Sequence, residues 1–220
     1  MRVRARVPRA DPPDESAYPR LDGRVTLAKL RESAAHCKAC DLWKLGTQTV
    51  FGEGSAHAKV MFVGEQPGDY EDRAGRPFVG PAGRMLDEAL QAAGIDRDDV
   101  WLTNAVKHFK WEPRGKRRIH AKPNAREIAA CRHWLRGEIA LLKPRVIVCL
   151  GATAAQAVFG RTVRINEERG KLMPSDLAPH VLVTIHPSAI LRAPDEHARD
   201  EQRRHFVADL RKLAGVLAPA

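Results

Sequence analysis

The sequence predicts a three-layer α/β/α domain built on a central four-stranded parallel sheet. Three observations predict it. Four short apolar runs rich in branched residues end in Gly or a polar residue, as strands buried on both faces do. Segments with helical apolar spacing lie between them, and each run opens into a Gly-rich or polar turn, the alternation expected of helices covering both faces of a parallel sheet.

The elements follow in chain order. Residues 1–24 mix Arg, Pro and Asp without periodicity and read as a loosely ordered extension, leaving residues 25–220 as one domain. At 220 residues, 44% hydrophobic and 29% charged, the chain can bury a full core. "TLAKLRESAAH" has helical spacing and runs into "CKACDLW". The first strand is "KVMFVG" (59–64). The helix "PAGRMLDEALQAAG" follows, with Pro81 near its start and Gly94 at its end. "VWLTNAV" (100–106) is the second strand. A basic loop then leads to the helix "NAREIAACRHWLRGEIALL", where Asn124 and Glu127 have the spacing of a reciprocal cap. "RVIVCLG" (145–151), the helix "ATAAQAVFG", "HVLVTIH" (180–186) and a last helix over about 195–216 complete the pattern. No internal repeat is evident.

No apolar run reaches bilayer length, and the N-terminus has no apolar stretch of the signal-peptide kind, so a cytoplasmic, nucleoid-associated monomer with no membrane contact is expected. The formal net charge is +10. From Lys107 to Arg126 eight Lys or Arg stand against the single Glu112, a net of +7, so most of the excess lies in one window, around "KRRIH" (116–120). Such a concentration points to an anionic partner, nucleic acid first.

Ligands of open α/β sheets bind beyond the carboxyl ends of the strands. There the four strands run into "GEQPGDYED", "TNAVKHF", "LGATAA" and "HPSAILR", which bring Glu65, Gln66, Asp69, Asn104 and His186 to one rim, joined by His120 from the basic insertion. Singly, each fits a cap or a turn; together they form an active-site inventory. Cys37, Cys40, Cys131 and Cys149 are a second constellation. In a reducing compartment a close pair plus two distant thiols reads as a metal or cluster site, and the spacing leaves tetrahedral zinc and a [4Fe-4S] cluster both open.

"GEQPGDYEDRAGRPFVGPAGRMLD", "LTNAVKHFKW", "HPSAILR" and the cysteine spacing resemble the iron-sulfur uracil-DNA glycosylases of family four, over nearly all of the chain from Cys37 onward. Two departures, Gln66 where that family usually has alanine and the "KRRIH" insertion, are similar instead to the X-type (UdgX-like) branch, whose members excise uracil and stay bonded to the DNA through the histidine of that insertion. The resemblance implies a [4Fe-4S] cluster on the four cysteines and uracil-containing DNA, single-stranded or double-stranded, as substrate. It makes Phe78 the residue that stacks on the flipped base and groups Gly64, Asn104, Arg118 and Ser188 with it in substrate binding.

Asn104 can donate to uracil O4 and accept from N3–H, a pattern that cytosine reverses. His186 can donate to uracil O2 while Glu65 faces the developing sugar cation. His120 is then the nucleophile, Glu65 its base, and Gln66 and Asp69 position the carboxylate and the loop. Lys107, Lys116, Arg117, Leu191 and Arg192 are expected to face DNA. Two alternatives stand beside this reading: an ordinary turnover glycosylase that uses water, and a non-catalytic iron-sulfur protein that binds nucleic acid.

Overall fold

The computed structural model describes residues 23–217, so the N-terminal extension expected over 1–24 lies outside the described residues except for its last two. The chain forms α1 (Leu27–Ala35), β1 (Glu53–Gly54), β2 (Val60–Gly64), α2 (Asp69–Ala74), α3 (Pro81–Ala93), β3 (Val100–Asn104) and a hairpin of β4 (Trp111–Arg114) and β5 (Arg117–His120). It continues with α4 (Ala125–Leu142), β6 (Val146–Leu150), α5 (Ala152–Phe159), α6 (Ile165–Glu168), β7 (Leu172–Met173), β8 (His180–Thr184), α7 (Pro187–Leu191), α8 (Glu196–Arg211) and α9 (Ala214–Leu217).

The main sheet has six strands in the order β1-β3-β2-β6-β8-β7. Its four central strands are the expected ones and are mutually parallel, whereas β1 and β7 join antiparallel at the two edges. The four-stranded count is therefore corrected to six. Each added strand is two residues long, too short to show a period of two in the sequence. The expected last helix is broken after Arg211 into α8 and α9.

Alternate residues of the central strands enter two cores. Met61, Val63, Trp101, Ile147, Cys149, Val181 and Val183 pack with residues of α1, α4 and α5 on one face. Val60, Phe62, Leu102, Val148 and Leu182 pack against Leu86 and Leu90 of α3 and Phe206 and Leu210 of α8 on the other. This is the three-layer arrangement, with every central strand buried along its length apart from the half-buried His180. Asn124 and Glu127 cap α4 reciprocally at 2.9 and 2.7 Å, and Pro81 and Gly94 bracket α3.

"KRRIH" is not a loop. Residues 117–120 form a strand paired antiparallel with β4, with Trp111 opposite His120 and Pro113 opposite Arg118. Gly115 takes a φ of 59° at the tip, the first central position of a two-residue turn, where that sign of φ favours glycine. The hairpin belongs to neither edge of the main sheet, so Pro113 costs it no ladder partner beyond β5. A pleated strand turns Arg118 and His120 to one side and Arg117 and Ile119 to the other. Arg118 is accordingly half-buried, and Arg117 and Ile119 are exposed.

Candidate active site

The rim residues do come together. Gly64 ends β2 beside Asn104, its parallel neighbour at the end of β3. A Cβ on Gly64 would lie 2.3 Å from Asn104 Oδ1 and 2.7 Å from Phe78 Cζ, so only glycine lets the amide and the ring meet over this backbone. Phe78 is buried with a φ of 56°, an unusual conformation for an aromatic residue, and its ring stacks toward His186 with centroids 6.4 Å apart. Among the described residues no side chain hydrogen-bonds to the Asn104 amide, although Asn104 is only 3% exposed. A buried amide left open beside a ring is a site for a planar ligand with its own donor and acceptor.

His186 ends the loop after β8 and caps α7. Its Nδ1 accepts from the Ser188 backbone N–H at 3.1 Å and lies 2.8 Å from Ser188 Oγ. In the neutral ring the proton therefore sits on Nε2. Burial pulls this imidazole down to about 4; the Glu65 carboxylate opposes that, and Arg192 and His120 reinforce it. His186 is thus a neutral Nε2–H donor at physiological pH. Ser188, expected at the substrate, lies against Nδ1 of this ring, the nitrogen opposite the Nε2–H donor.

Glu65 follows β2. Burial pushes its carboxyl up, but hydrogen bonds from His120 and Thr153, with the electrostatic pull of the neighbouring imidazoles of His120 and His186, more than offset that and hold it below the usual carboxylate range. Its Oε1 lies 3.3 Å from His120 Nε2, and its Oε2 accepts a short hydrogen bond from Thr153 Oγ1 in the first turn of α5. Thr153 is the site residue the sequence reading missed. The available signal was a hydroxyl two residues after Gly151, where a strand end turns into a helix.

His120 remains 48% exposed, its ring 6.3 Å from that of Phe109. Three side chains fix the strand that carries it. Gln66 Nε2 donates to the Lys110 and Ala121 carbonyls at 3.0 and 3.1 Å, and its Oε1 accepts from the Lys110 N–H at 3.2 Å, closing both ends of the hairpin. Arg118 reaches inward to Asp69 at 2.5 Å and to the fully buried Asp72 at 2.6 Å. Gln66 and Asp69, expected to position both the Glu65 carboxylate and the loop, do so for the loop: both hydrogen-bond to the hairpin or its ends, and neither to Glu65. Arg118, grouped above with the substrate-binding residues, is engaged by two carboxylates.

The basic window is divided. Lys107, expected to face DNA, is 1% exposed and pairs with Glu138 inside the domain, which corrects that assignment. Lys110 pairs with Glu127. Lys116 and Arg117 at the hairpin tip, and Leu191 and Arg192 after His186, are exposed.

Among the described residues no three His, Cys, Asp or Glu side chains converge tightly enough to hold a single metal ion. The thiols nonetheless share one core cluster. Cys40 and Cys131 hydrogen-bond to each other, which holds Cys40 below and Cys131 above the usual thiol value. Trp134 Nε1 donates to Cys37 Sγ at 3.1 Å, and the Lys107 backbone N–H donates to Cys131 Sγ at 3.4 Å. Cys149 stands apart on β6, its thiol raised by burial alone.

Comparison with known proteins bears on this geometry. Residues 51–211 match the family model of the uracil DNA glycosylase superfamily. The chain is 41% identical over 187 residues to a type-4 uracil-DNA glycosylase of Thermotoga maritima, spanning 84% of this chain and 92% of that one. It is 41% identical over 177 residues to the type-4 enzyme of Pyrobaculum aerophilum, spanning 77% and 87%. To a type-5 uracil-DNA glycosylase of Thermus thermophilus it is 33% identical over 156 residues, spanning 62% and 68%.

Proposed function

Because the chain belongs to the uracil-DNA glycosylase superfamily, we propose that it excises uracil from DNA and captures the freed deoxyribose on His120, as an X-type member would. Uracil turned out of the stack lies on Phe78, its N3–H and O4 on the Asn104 amide. As the C1'–N1 bond breaks, its electron pair leaves with uracil, whose O2 is stabilised by His186 Nε2–H. The Glu65 carboxylate faces the sugar cation, a role that its lowered pKa supports. His120 Nε2 then bonds to C1' while Glu65 Oε1 takes the Nε2 proton. The alkylated imidazole stays neutral through its free Nδ1. Lys116, Arg117, Leu191 and Arg192 supply the exposed contacts to the DNA.

The observation that carries the capture step is the 3.3 Å approach of His120 to Glu65 on a strand held by Gln66, Asp69 and Asp72. A second reading, water attack with turnover, is supported by the 41% identity to proteins named as type-4 enzymes. The test mixes the protein, or its His120→Ser variant, with uracil-containing single-stranded DNA and denatures it in hot SDS. A heat-stable adduct that needs both uracil and His120 is expected. Repeated uracil release with no adduct would establish the water reading.

We also propose a [4Fe-4S] cluster on Cys37, Cys40, Cys131 and Cys149. Four free thiols in one core, two of them receiving N–H donors, are the donor set such a cluster would take. Its role is to tie α4 to the segment after α1. Near-equal iron and acid-labile sulfide in protein purified without air would support it, and their absence would refute it.

A further inference from the structure

Lys107 and Glu138 form a buried pair that the proposed chemistry does not use. Lys107 Nζ donates to Glu138 Oε2 at 2.6 Å, to Thr103 Oγ1 at 2.6 Å and to the Asn104 carbonyl at 2.9 Å, which accounts for all three of its protons. Glu138 is 0% exposed. Its Oε1 accepts from the Gly52 N–H at 3.0 Å, and both its oxygens lie 3.0 Å from Thr103 Oγ1. Every other hydrogen-bonding member of the network is therefore backbone or hydroxyl, held by one ammonium and one carboxylate.

The network's place in the fold gives it a role. Asn104 is the last residue of β3, and the chain folds back over the next three residues so that Lys107 caps the carbonyl of Asn104. Within the same turn Ala105 N–H donates to the Gly64 carbonyl at 2.9 Å, and Val106 N–H to the Glu65 carbonyl at 3.0 Å. A turn clamped by Lys107 thus fixes the backbone on which Asn104 is carried and touches the backbone of Gly64 and Glu65. The clamp is anchored in α4, where Cys131 receives the Lys107 N–H and Glu138, two helical turns on, receives its ammonium.

A buried ion pair is a poor device for stability, since apolar side chains of similar size often serve as well or better. It is a good device for fixing a geometry, because each donor has one place to go. We propose that Lys107 and Glu138 are positioning residues for base recognition, holding the Asn104 amide where it reads the uracil edge. This rests on the assignment of Asn104 to uracil made above.

The test is a mutant cycle between Lys107→Met/Glu138→Leu and Asn104→Ala, read as single-turnover uracil release and as selectivity for uracil over cytosine in the same DNA. Removing both charges leaves no unpaired charge, though it frees the Gly52 N–H and the Asn104 carbonyl, so the double variant should fold but melt below wild type. It is expected to lose at least tenfold in rate and much of its selectivity. Adding Asn104→Ala to it should cost little more than Asn104→Ala alone, because the two changes remove one function. Phe206→Leu, in the opposite core, serves as a destabilised control that slows release, if at all, without changing selectivity. A folded double variant with wild-type rate and selectivity would overturn the proposal, as would effects that multiply independently. If the double variant does not fold, Glu138→Gln, which keeps the shape and removes the charge, enters the same cycle and is judged by the same outcomes. Wild-type protein that releases no uracil would overturn both this proposal and the reading beneath it.

Discussion

Thr153 gives the sharpest handle on Glu65. Its hydroxyl donates to Oε2 and leaves Oε1 for His120, so the carboxylate is both charged and aimed. Thr153→Val keeps the shape of a side chain that is 3% exposed and removes only the donor. A hydrogen bond to a charged group is worth about 1.5–3 kcal/mol, and one pKa unit is about 1.4 kcal/mol. Losing this bond from the ionised form should therefore raise the Glu65 carboxyl. In the proposed mechanism uracil release needs the carboxylate, so the acid limb of the single-turnover rate should move to higher pH. The neutral-pH rate should fall on the order of tenfold to hundredfold as the carboxylate loses its aim. Thr153→Ser should restore both. A folded Thr153→Val protein with an unmoved acid limb would refute the assignment of Thr153, and an acid limb that survives Glu65→Gln would refute that of Glu65.

Two further outcomes follow from the pocket. Gly64→Ala places a methyl against Asn104 Oδ1 and the Phe78 ring, so uracil release should fall about a hundredfold, with a melting temperature lowered by the overpacking; normal kinetics would mean that the base does not bind there. His186 takes its proton at about 4 in the folded chain but at about 6.5 when unfolded, so the unfolded chain binds more protons between those values. Stability should fall on acidification through that window, and His186→Gln should flatten the dependence, as checked by denaturant midpoints across the range.

The four central strands were legible because each is buried on both faces and carries a short, mostly apolar run rich in branched residues. The edge strands were not, because two residues carry no pattern. At the site, Glu65, Asn104 and His186 were legible as polar residues at strand ends, where topology alone predicts convergence. What failed was the sorting of charge. Lys107 and Arg118 belong to the same basic window as Lys116 and Arg117, yet their partners Glu138, Asp69 and Asp72 are 31, 49 and 46 residues away. Pairing at that range is a property of the fold. Local sequence shows a cation but not the carboxylate that removes it from the surface. Thr153 was missed for the same reason, since its partner Glu65 is 88 residues away.

In the proposed mechanism, capture and turnover differ only in what reaches the sugar cation, and the hairpin would decide it. His120 is 48% exposed, so water is not excluded by burial. Bulk water stands at about 55 M, whereas a well-aligned internal group acts at effective molarities of roughly 10⁵–10⁸ M, so a fixed imidazole wins and a loose one need not. The fixing is done by three hydrogen bonds from Gln66, worth about 0.5–1.5 kcal/mol each, and by the fork of Arg118 on Asp69 and Asp72. Lysine keeps the charge of Arg118 but cannot reach both carboxylates with one planar fork. Gln66→Leu and Arg118→Lys should therefore each lower the ratio of adduct to free abasic product, and the pair together should lower it further. Uracil release should stay near wild type in all three, because Glu65, Asn104 and His186 are carried at the strand ends of the main sheet rather than on the hairpin. Both variants should also be cut faster by trypsin at the hairpin tip. Release and capture that fall in equal proportion would mean that the hairpin serves bond cleavage itself, and the division of labour between sheet and hairpin would be wrong.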